Sequence, residues 1–496
     1  MRLDRLAMSP LSDAKSGAVD IQGLTADSRL VQPGYLFAAL SGSHADGRDF
    51  VEHAVARGAA AILTQDLDVL EHGDVPVVAS HNPRRDLALM ASRFFDVQPA
   101  HIAAITGTNG KTSTAVFLRQ LLVAAGCKAA SMGTLGVEAA GYFAELHHTT
   151  PEPVRLHAAL RDLVAHQITH VAMEASSHGL AQHRLDGVNV SVAGFTNLSR
   201  DHLDYHDDFA AYEAAKTRLF TELLAETGTA VIAMPSGDDT AAARIEAACV
   251  KAGRKTLPVG RKKDAVHVAI TARHSTGLDV TVTLNGDSRA VSLPLIGDFQ
   301  TENLGVALGM AMALGVEDET LFDAVRQCAA PRGRMQFVGR NEAGAAVYVD
   351  YAHTPDALDN ALSALRAHLP EAGRLLVMFG CGGDRDSGKR PDMGGVAAAK
   401  ADLVIVTDDN PRHEDAAAIR AAILAACDGA TEIADREQAI EAAVSMAEAD
   451  DLLLLAGKGH ETGQVVGDTI LPFDDITTAQ RALCAPHLSE QGGRHG

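Results

Sequence analysis

Ile102-Ala103-Ala104-Ile105-Thr106-Gly107-Thr108-Asn109-Gly110-Lys111-Thr112-Ser113-Thr114 is the stretch whose reading decides the fold. Its apolar start predicts a buried strand. A glycine-containing turn and a Lys-Thr pair follow, and Ala115–Ala125 then reads as an amphipathic helix. Strand, glycine loop and helix together make a phosphate cradle. Backbone N–H groups and the helix N-terminus face the anion, Lys111 adds a point charge, and the Thr112 hydroxyl can hold Mg²⁺. The local form is Gly-Thr-Asn-Gly-Lys-Thr, because Ile105 stands where the strict phosphate-loop pattern has its first glycine. A nucleotide-binding ATPase is the expectation. The alternative, a glycine turn with a solvated lysine, is disfavoured because strand, loop and helix signals agree.

Around this stretch lie 496 residues, enough for about three domains on the usual length prior. Hydrophobic residues make up 47% and charged residues 22%, the balance of a globular chain with ample core. A net charge of −21 argues against nucleic acid or a membrane surface as partner. An anionic substrate then needs a pocket made positive locally by Arg, Lys and Mg²⁺. The six cysteines are scattered without a C-x-x-C pair, which points away from zinc and disulfides and towards a reducing compartment. No signal-peptide pattern and no run of membrane-spanning length is visible, so a cytoplasmic protein is expected.

Residues 1–100 read as a first unit, with polar loops at Asp27-Ser28-Arg29 and Ser41-Gly42-Ser43-His44-Ala45-Asp46-Gly47, and a helix over Ala54–Ala61. Residues 101–337 read as a second unit. There the strand Thr169–Met173 runs into Glu174-Ala175-Ser176-Ser177-His178, and Val190–Phe195 runs into Thr196-Asn197-Leu198-Ser199-Arg200-Asp201-His202. A carboxylate at a strand end, one crossover after a phosphate loop, can sit where Mg²⁺ bridges nucleotide phosphates. Lys216, on a helix, is by default a solvated lysine. Pro331–Gly333 reads as a hinge. The third unit, residues 338–496, alternates strand and helix and so predicts a largely parallel sheet. Its strands end in polar loops at Asp350–Pro355, Gly380–Asp386, Asp408–Arg412 and Ala456–Glu461, and ligands of open α/β sheets bind off such ends.

Taken in order, Gly107–Thr112, Met173–His178, Asn197–Asp204, Ala215-Lys216, Val349–Pro355 and Gly457-Lys458-Gly459-His460-Glu461 resemble the Mur ligase family over nearly the whole chain. The resemblance implies an α/β protein of three-domain Mur ligase architecture. An N-terminal UDP-MurNAc-binding domain would be followed by a P-loop-type central ATPase domain and a Rossmann-like C-terminal domain that binds the amino acid. Asp409-Asn410-Pro411-Arg412 is similar to the motif of the family's diaminopimelate-adding branch. The implied activity is ATP-dependent addition of meso-diaminopimelate to the D-Glu γ-carboxyl of UDP-MurNAc-L-Ala-D-Glu through an acyl phosphate, in peptidoglycan synthesis. The cofactors would be ATP and Mg²⁺, the substrates small molecules, and the state a monomer.

By the same resemblance, Lys111, Lys216 and His202 would be catalytic, with Lys216 carbamylated. Gly107, Thr108, Asn109, Gly110, Lys111, Thr112, Ser113, Asn303, Arg334 and Asp350 would contact the nucleotide. Thr112, Glu174, His202 and Lys216 would hold the metal. Ser28, Ser43, His44, Ala45, Thr149, Thr150, Ser176, Gln182 and Arg184 would bind the UDP-linked dipeptide. Arg385, Asp409, Asn410, Pro411, Arg412, Gly457 and Glu461 would form the amino-acid pocket, where Arg meets carboxylate and Glu461 meets ammonium. Two rivals stand beside this reading. One is a folylpolyglutamate synthetase on the same scaffold, against which the Asp-Asn-Pro-Arg motif speaks. The other is a nucleotide-dependent switch, which gives no reason for the loops of the third unit.

Overall fold

The computed structural model describes residues 1–8, 14–42, 45–65, 75–199, 205–234 and 240–484. The chain folds as two compact units, Met1–Val266 with Gly305–Ala324, and His267–Leu304 with Val325–Gly496.

In the first unit, the strands Gly23–Thr25, Tyr35–Ala38, Ala61–Thr64 and Val77–Ala79 form a four-stranded parallel sheet in chain order. The helix expected over Ala54–Ala61 runs instead from Val51 to Ala56. Gly58 takes φ +92°, and Gly58 N–H and Ala59 N–H bond back to the Val55 and Ala54 carbonyls. This left-handed glycine closes the helix and frees Ala61 to start a strand. The helix Pro83–Phe95, which the sequence reading did not single out, starts on Asn82, whose side chain accepts from Arg85 N–H.

An eight-stranded sheet comes next along the chain. His101–Thr106 sits in its middle, between His170–Glu174 and Val190–Phe195, all parallel. These strands are buried on both faces, so they read as continuous apolar runs rather than alternating ones. The register pairs Ile105 with Glu174 and Thr106 with Phe195. The three strands therefore end level, and the loops leaving them meet. Ala129–Gly133, Gly136–Ala139 and Tyr142–Ala144 extend one edge, the last two antiparallel.

His157, on the helix Pro153–Ala165, is 1% exposed, and burial pushes its imidazole down to about 4. The ring is thus neutral in the fold while an unfolded chain protonates it near its ordinary value, so stability is lost as pH falls from about 6.5 towards 4. At pH 4.5 this group should cost about 2–3 kcal/mol relative to pH 7. His157→Leu should flatten the acid limb of the melting curve by that amount, and parallel wild-type and variant curves would refute the assignment.

The second unit holds the three-stranded sheet of Val266–His274, Gly277–Leu284 and Asp287–Leu293, the last two antiparallel. It also holds a six-stranded sheet. In that sheet Ala346–Asp350, Leu452–Ala456, Leu375–Phe379, Leu403–Val406 and Thr431–Glu432 are parallel, and Gln336–Arg340 is antiparallel at one edge. Asp350 pairs with Ala456 and Phe379 with Val406, so the loops after them share one end of the sheet. A hairpin, Gly463–Val466 with Thr469–Pro472, lies beside the Arg412 loop through a bridge to Val466.

Candidate active site

The phosphate loop turns between His101–Thr106 and the helix Lys111–Ala124. A Cβ at Gly107 would sit 1.9 Å from Thr196 Oγ1, so only glycine fits between the two strand ends. The neighbouring strand end clamps the loop. Thr108 N–H donates to the Asn197 carbonyl at 2.9 Å, Asn109 N–H to Asn197 Oδ1 at 3.0 Å, and Thr196 Oγ1 to the Asn109 carbonyl at 2.6 Å. The helix begins at Gly110 without a side-chain cap, which leaves first-turn N–H groups for an anion. Ser113 is buried in that first turn. Lys111 Nζ donates to the Gly107 and Thr108 carbonyls at 2.9 and 2.7 Å.

Glu174 is 2% exposed and closes the other side of the loop. Thr112 Oγ1 lies 3.0 Å from both of its carboxylate oxygens, and Thr134 N–H donates to Oε1 at 2.8 Å. Thr134, in the hairpin turn, was not singled out from sequence; only the neighbouring Gly133, where a Cβ would meet Glu174 Oε1 at 2.1 Å, hints at it. Mg²⁺ takes oxygen ligands, and a hydroxyl and a carboxylate held together at the mouth of a phosphate loop suit it. Among the described residues there is no cluster of three or more His, Cys, Asp or Glu side chains that could hold a metal ion. His202 lies outside the described residues.

A second network grows from the same strand end. Thr149 Oγ1 is 3.1 Å from Thr134 Oγ1, and Thr150 Oγ1 donates to the Glu174 carbonyl and accepts from Ser176 N–H, both at 3.0 Å. Ser176 caps the short helix Ser177–Ala181. Arg184 reaches the Thr150 carbonyl at 2.7 Å and Gln182 Oε1 at 2.8 Å. Five residues expected to bind the UDP-linked dipeptide are thus contiguous with the expected metal ligand Glu174. Ser28 and Ala45 lie after the strands Gly23–Thr25 and Tyr35–Ala38, Ser28 buried and Ala45 exposed; Ser43 and His44 lie outside the described residues.

Lys216, on the helix Phe209–Arg218, is not solvated: it is 1% exposed. Its Nζ donates to the Gly107 carbonyl at 2.8 Å and stands 4.4 Å over the Tyr212 ring. Tyr212 OH is in turn 3.0 Å from Thr108 Oγ1. Two ammonium groups, of Lys111 and Lys216, thus share one carbonyl of the phosphate loop.

In the second unit, Asp350 ends its strand buried, and its two oxygens accept from Met335 N–H and Ala352 N–H at 2.7 and 2.8 Å. Burial raises its pKa above the usual carboxylate range, and Arg334 opposes that. Arg334 stacks 4.9 Å over Tyr351, and its buried Nε has no hydrogen-bond partner among the described residues. An orphaned guanidinium nitrogen beside an aromatic ring suits a planar or anionic ligand such as a nucleotide. Asn303 is buried and donates to Gln300 Oε1 at 3.1 Å.

The amino-acid loops of the same unit are tied together. Asn410 Nδ2 donates to Glu461 Oε2 at 3.0 Å, and a Cβ on Gly457 would lie 3.2 Å from Asp409 Oδ2. Arg412 is left-handed at φ +53°, with its N–H on the Val465 carbonyl at 3.0 Å. Its Nη1 donates to the Gly383 carbonyl at 2.7 Å, so one edge of the guanidinium holds the glycine loop. Arg390 and Asp384 N–H meet on Glu414, fastening that loop again. Arg385 stands exposed on it. Sequence reasoning missed Lys458, fully buried among these groups, and Arg436, fully buried on Asp475 at 2.6 Å with Nη2 on the Ala456 carbonyl at 3.0 Å. In sequence Lys458 stands inside the Gly457–Glu461 motif without a role of its own; Arg436 gives no signal.

Comparison with known proteins agrees with this geometry. Residues 20–95 match the Mur ligase family catalytic domain, 105–311 the Mur ligase middle domain and 333–459 the Mur ligase glutamate ligase domain. A UDP-N-acetylmuramoyl-L-alanyl-D-glutamate--2,6-diaminopimelate ligase of Agrobacterium fabrum is 48% identical, with 94% of each chain covered. A solved structure of an enzyme of that name superposes with TM-score 0.72 at 34% identity, covering 97% of this chain and 98% of the other. A MurF ligase of Thermotoga maritima, solved with ADP, shares the fold at TM-score 0.59 and 16% identity, covering 94% of this chain and 97% of the other. With all three of its domain types matched in order and an identity near one half along almost its whole length, the chain belongs to the Mur ligase family.

Proposed function

We infer that this chain is an ATP-dependent ligase that joins meso-2,6-diaminopimelate to the D-Glu γ-carboxyl of UDP-N-acetylmuramoyl-L-alanyl-D-glutamate, in peptidoglycan synthesis. The near full-length match to ligases of that name carries the reading. Segments 1–100, 101–337 and 338–496 take the UDP-linked acceptor, ATP and the amino acid in turn. The chain works as a cytoplasmic monomer. Among the described residues no helix is long and apolar enough to cross a membrane.

In the proposed reaction the γ-carboxylate attacks the γ-phosphorus of ATP and ADP leaves, giving an acyl phosphate. The amine of diaminopimelate then adds to the acyl carbon. The tetrahedral intermediate loses a proton and expels inorganic phosphate, leaving an amide. Such phosphoryl transfer asks the protein for positioning and charge neutralisation. The loop N–H groups and Lys111 hold the phosphates. Thr149, Thr150, Ser176, Gln182 and Arg184 orient the acceptor. Thr112, Glu174, His202 and a carbamylated Lys216 would hold Mg²⁺, which would supply charge neutralisation at the phosphates. A phosphate-release assay with ATP, Mg²⁺ and the UDP-linked dipeptide tests the reading. Release should depend on added diaminopimelate and be weak with L-lysine; release independent of any amino acid would overturn it.

Arg412 is the proposed selector of diaminopimelate over lysine. Diaminopimelate carries a second carboxylate at its far end, which a fixed guanidinium binds bidentately, and lysine offers no such partner to the donors that the Gly383 carbonyl does not take. Arg412→Ala should lower kcat/KM for diaminopimelate by roughly 30- to 1000-fold, the equivalent of about 2–4 kcal/mol, and lysine use much less. The Gly383 contact supplies the competing role of a loop tie. Equal losses with both amino acids would establish that role instead.

A further inference from the structure

The roles assigned above leave Lys458 unused. It is 0% exposed, between Gly457 and Gly459. Its Nζ donates to Asn410 Oδ1 at 2.9 Å and to the Gly463 carbonyl at 2.8 Å, and lies 3.4 Å from Asp409 Oδ1 and 3.8 Å from Glu461 Oε2. Taking an ammonium out of water is expensive, and here burial pulls its pKa below the ordinary lysine value while Asp409 and Glu461 oppose. Such a group is retained where its charge and its donors are needed.

Those donors decide a geometry. A side-chain amide can sit in either of two nearly isosteric orientations, and its hydrogen-bond partners select one. Asn410 Oδ1 accepts from both Lys458 Nζ and Val465 N–H, each at 2.9 Å. Lysine has donors only, so an amide nitrogen cannot face it. Asn410 Nδ2 is therefore turned to the opposite side, where it donates to Glu461 Oε2 at 3.0 Å. Without Lys458, only the Val465 N–H on one side and the Glu461 carboxylate on the other would oppose the flip, with no cation between the two carboxylates and the amide oxygen. Asp409 would also lose its nearest cation.

We propose that Lys458 is a positioning residue of the amino-acid pocket: it sets the amide orientation of Asn410 and, through it, the place of the Glu461 carboxylate. The proposal rests on the ligase reading above and deepens it. Lys458 acts through Asn410 and need not touch the substrate.

Steady-state kinetics of the full chain test it, after the melting transition of each variant has shown that it folds. In Lys458→Met the KM for diaminopimelate should rise about 10- to 100-fold, because a carboxylate displaced by an ångström pairs poorly with an ammonium. KM for ATP and for the UDP-linked dipeptide should stay within about twofold, with kcat less affected than KM. In an Asn410→Ala background the same substitution should add little, since the relay is already cut. Asn410→Asp keeps Lys458 and carries the test if the Met variant does not fold. Its carboxylate still accepts from Lys458 and Val465 but gives Glu461 no donor, so the same selective rise is expected. Equal rises for all three substrates, additive losses in the double variant, or wild-type kinetics in Asn410→Asp would each overturn the role. A wild-type chain whose phosphate release ignores diaminopimelate would overturn the ligase reading itself, whereas normal wild-type ligation beside unmoved variants would overturn only the role of Lys458.

Discussion

Lys111→Ala should lower kcat by roughly 10³-fold or more while the protein stays folded. The lysine is the one flexible cation on the phosphate loop whose stem starts at the first helical residue, so its charge can follow the transferred phosphoryl group. In this structure its Nζ rests on the Gly107 and Thr108 carbonyls, both weak acceptors beside a triphosphate. Charge develops on the phosphoryl oxygens in the transition state, and a missing counter-charge is felt there most. The two carbonyl contacts contribute about 1–2 kcal/mol to stability, a small part of a typical 5–15 kcal/mol. The melting temperature should therefore move little. A folded Lys111→Ala protein with near wild-type ligation would remove the phosphate loop from the mechanism.

Lys216→Ala should be nearly as damaging, and its rescue identifies the chemistry of the side chain. As an ammonium, Lys216 shares the Gly107 carbonyl with Lys111. Two unit charges gathered on one carbonyl oxygen repel, by roughly 3 kcal/mol at an effective dielectric of about 20. Tyr212 beneath it offsets part of that through its ring face. Carbamylation converts the amine and CO₂ into an anionic carbamate with release of a proton, which exchanges the repulsion for attraction to Lys111. If the carbamate is the working form, short carboxylic acids should restore part of the activity of Lys216→Ala. Rescue by short alkylamines, and not by acids, would instead make the ammonium a brace of the loop. Full activity without any additive would remove Lys216 from the site.

Much of this site is legible along the chain because its parts sit at strand ends. An apolar run followed by Gly, Asn, Asp or Glu marks where a buried parallel strand leaves the sheet, and ligands bind off those ends. Gly107–Thr112, Glu174, Asp350 and Asn410 are legible that way. Helix stops are less so. Ala54–Ala61 is uniformly helix-compatible except for Gly58, and whether a glycine continues or closes a helix depends on the residues after it. Lys216 shows the larger gap. On a helix rich in Ala and charged residues it reads as solvated, and only the approach of the Gly107 carbonyl and the Tyr212 ring makes it buried.

The sequence by itself determined the alternation of strand and helix around the site, the phosphate loop, the family, and the loops that carry polar groups. Each of these is a local property: a period, a turn residue, or a motif of fixed spacing. Tertiary structure alone decided which of those groups touch. Register placed Glu174 and Thr196 on either side of Gly107, because Ile105 pairs with Glu174 and Thr106 with Phe195. Long-range folding brought Lys458 to Asn410, 48 positions away, and buried Arg436 on Asp475, 39 positions away. A buried charge needs a partner wherever the chain can supply one, and residue spacing in the sequence carries no trace of that pairing.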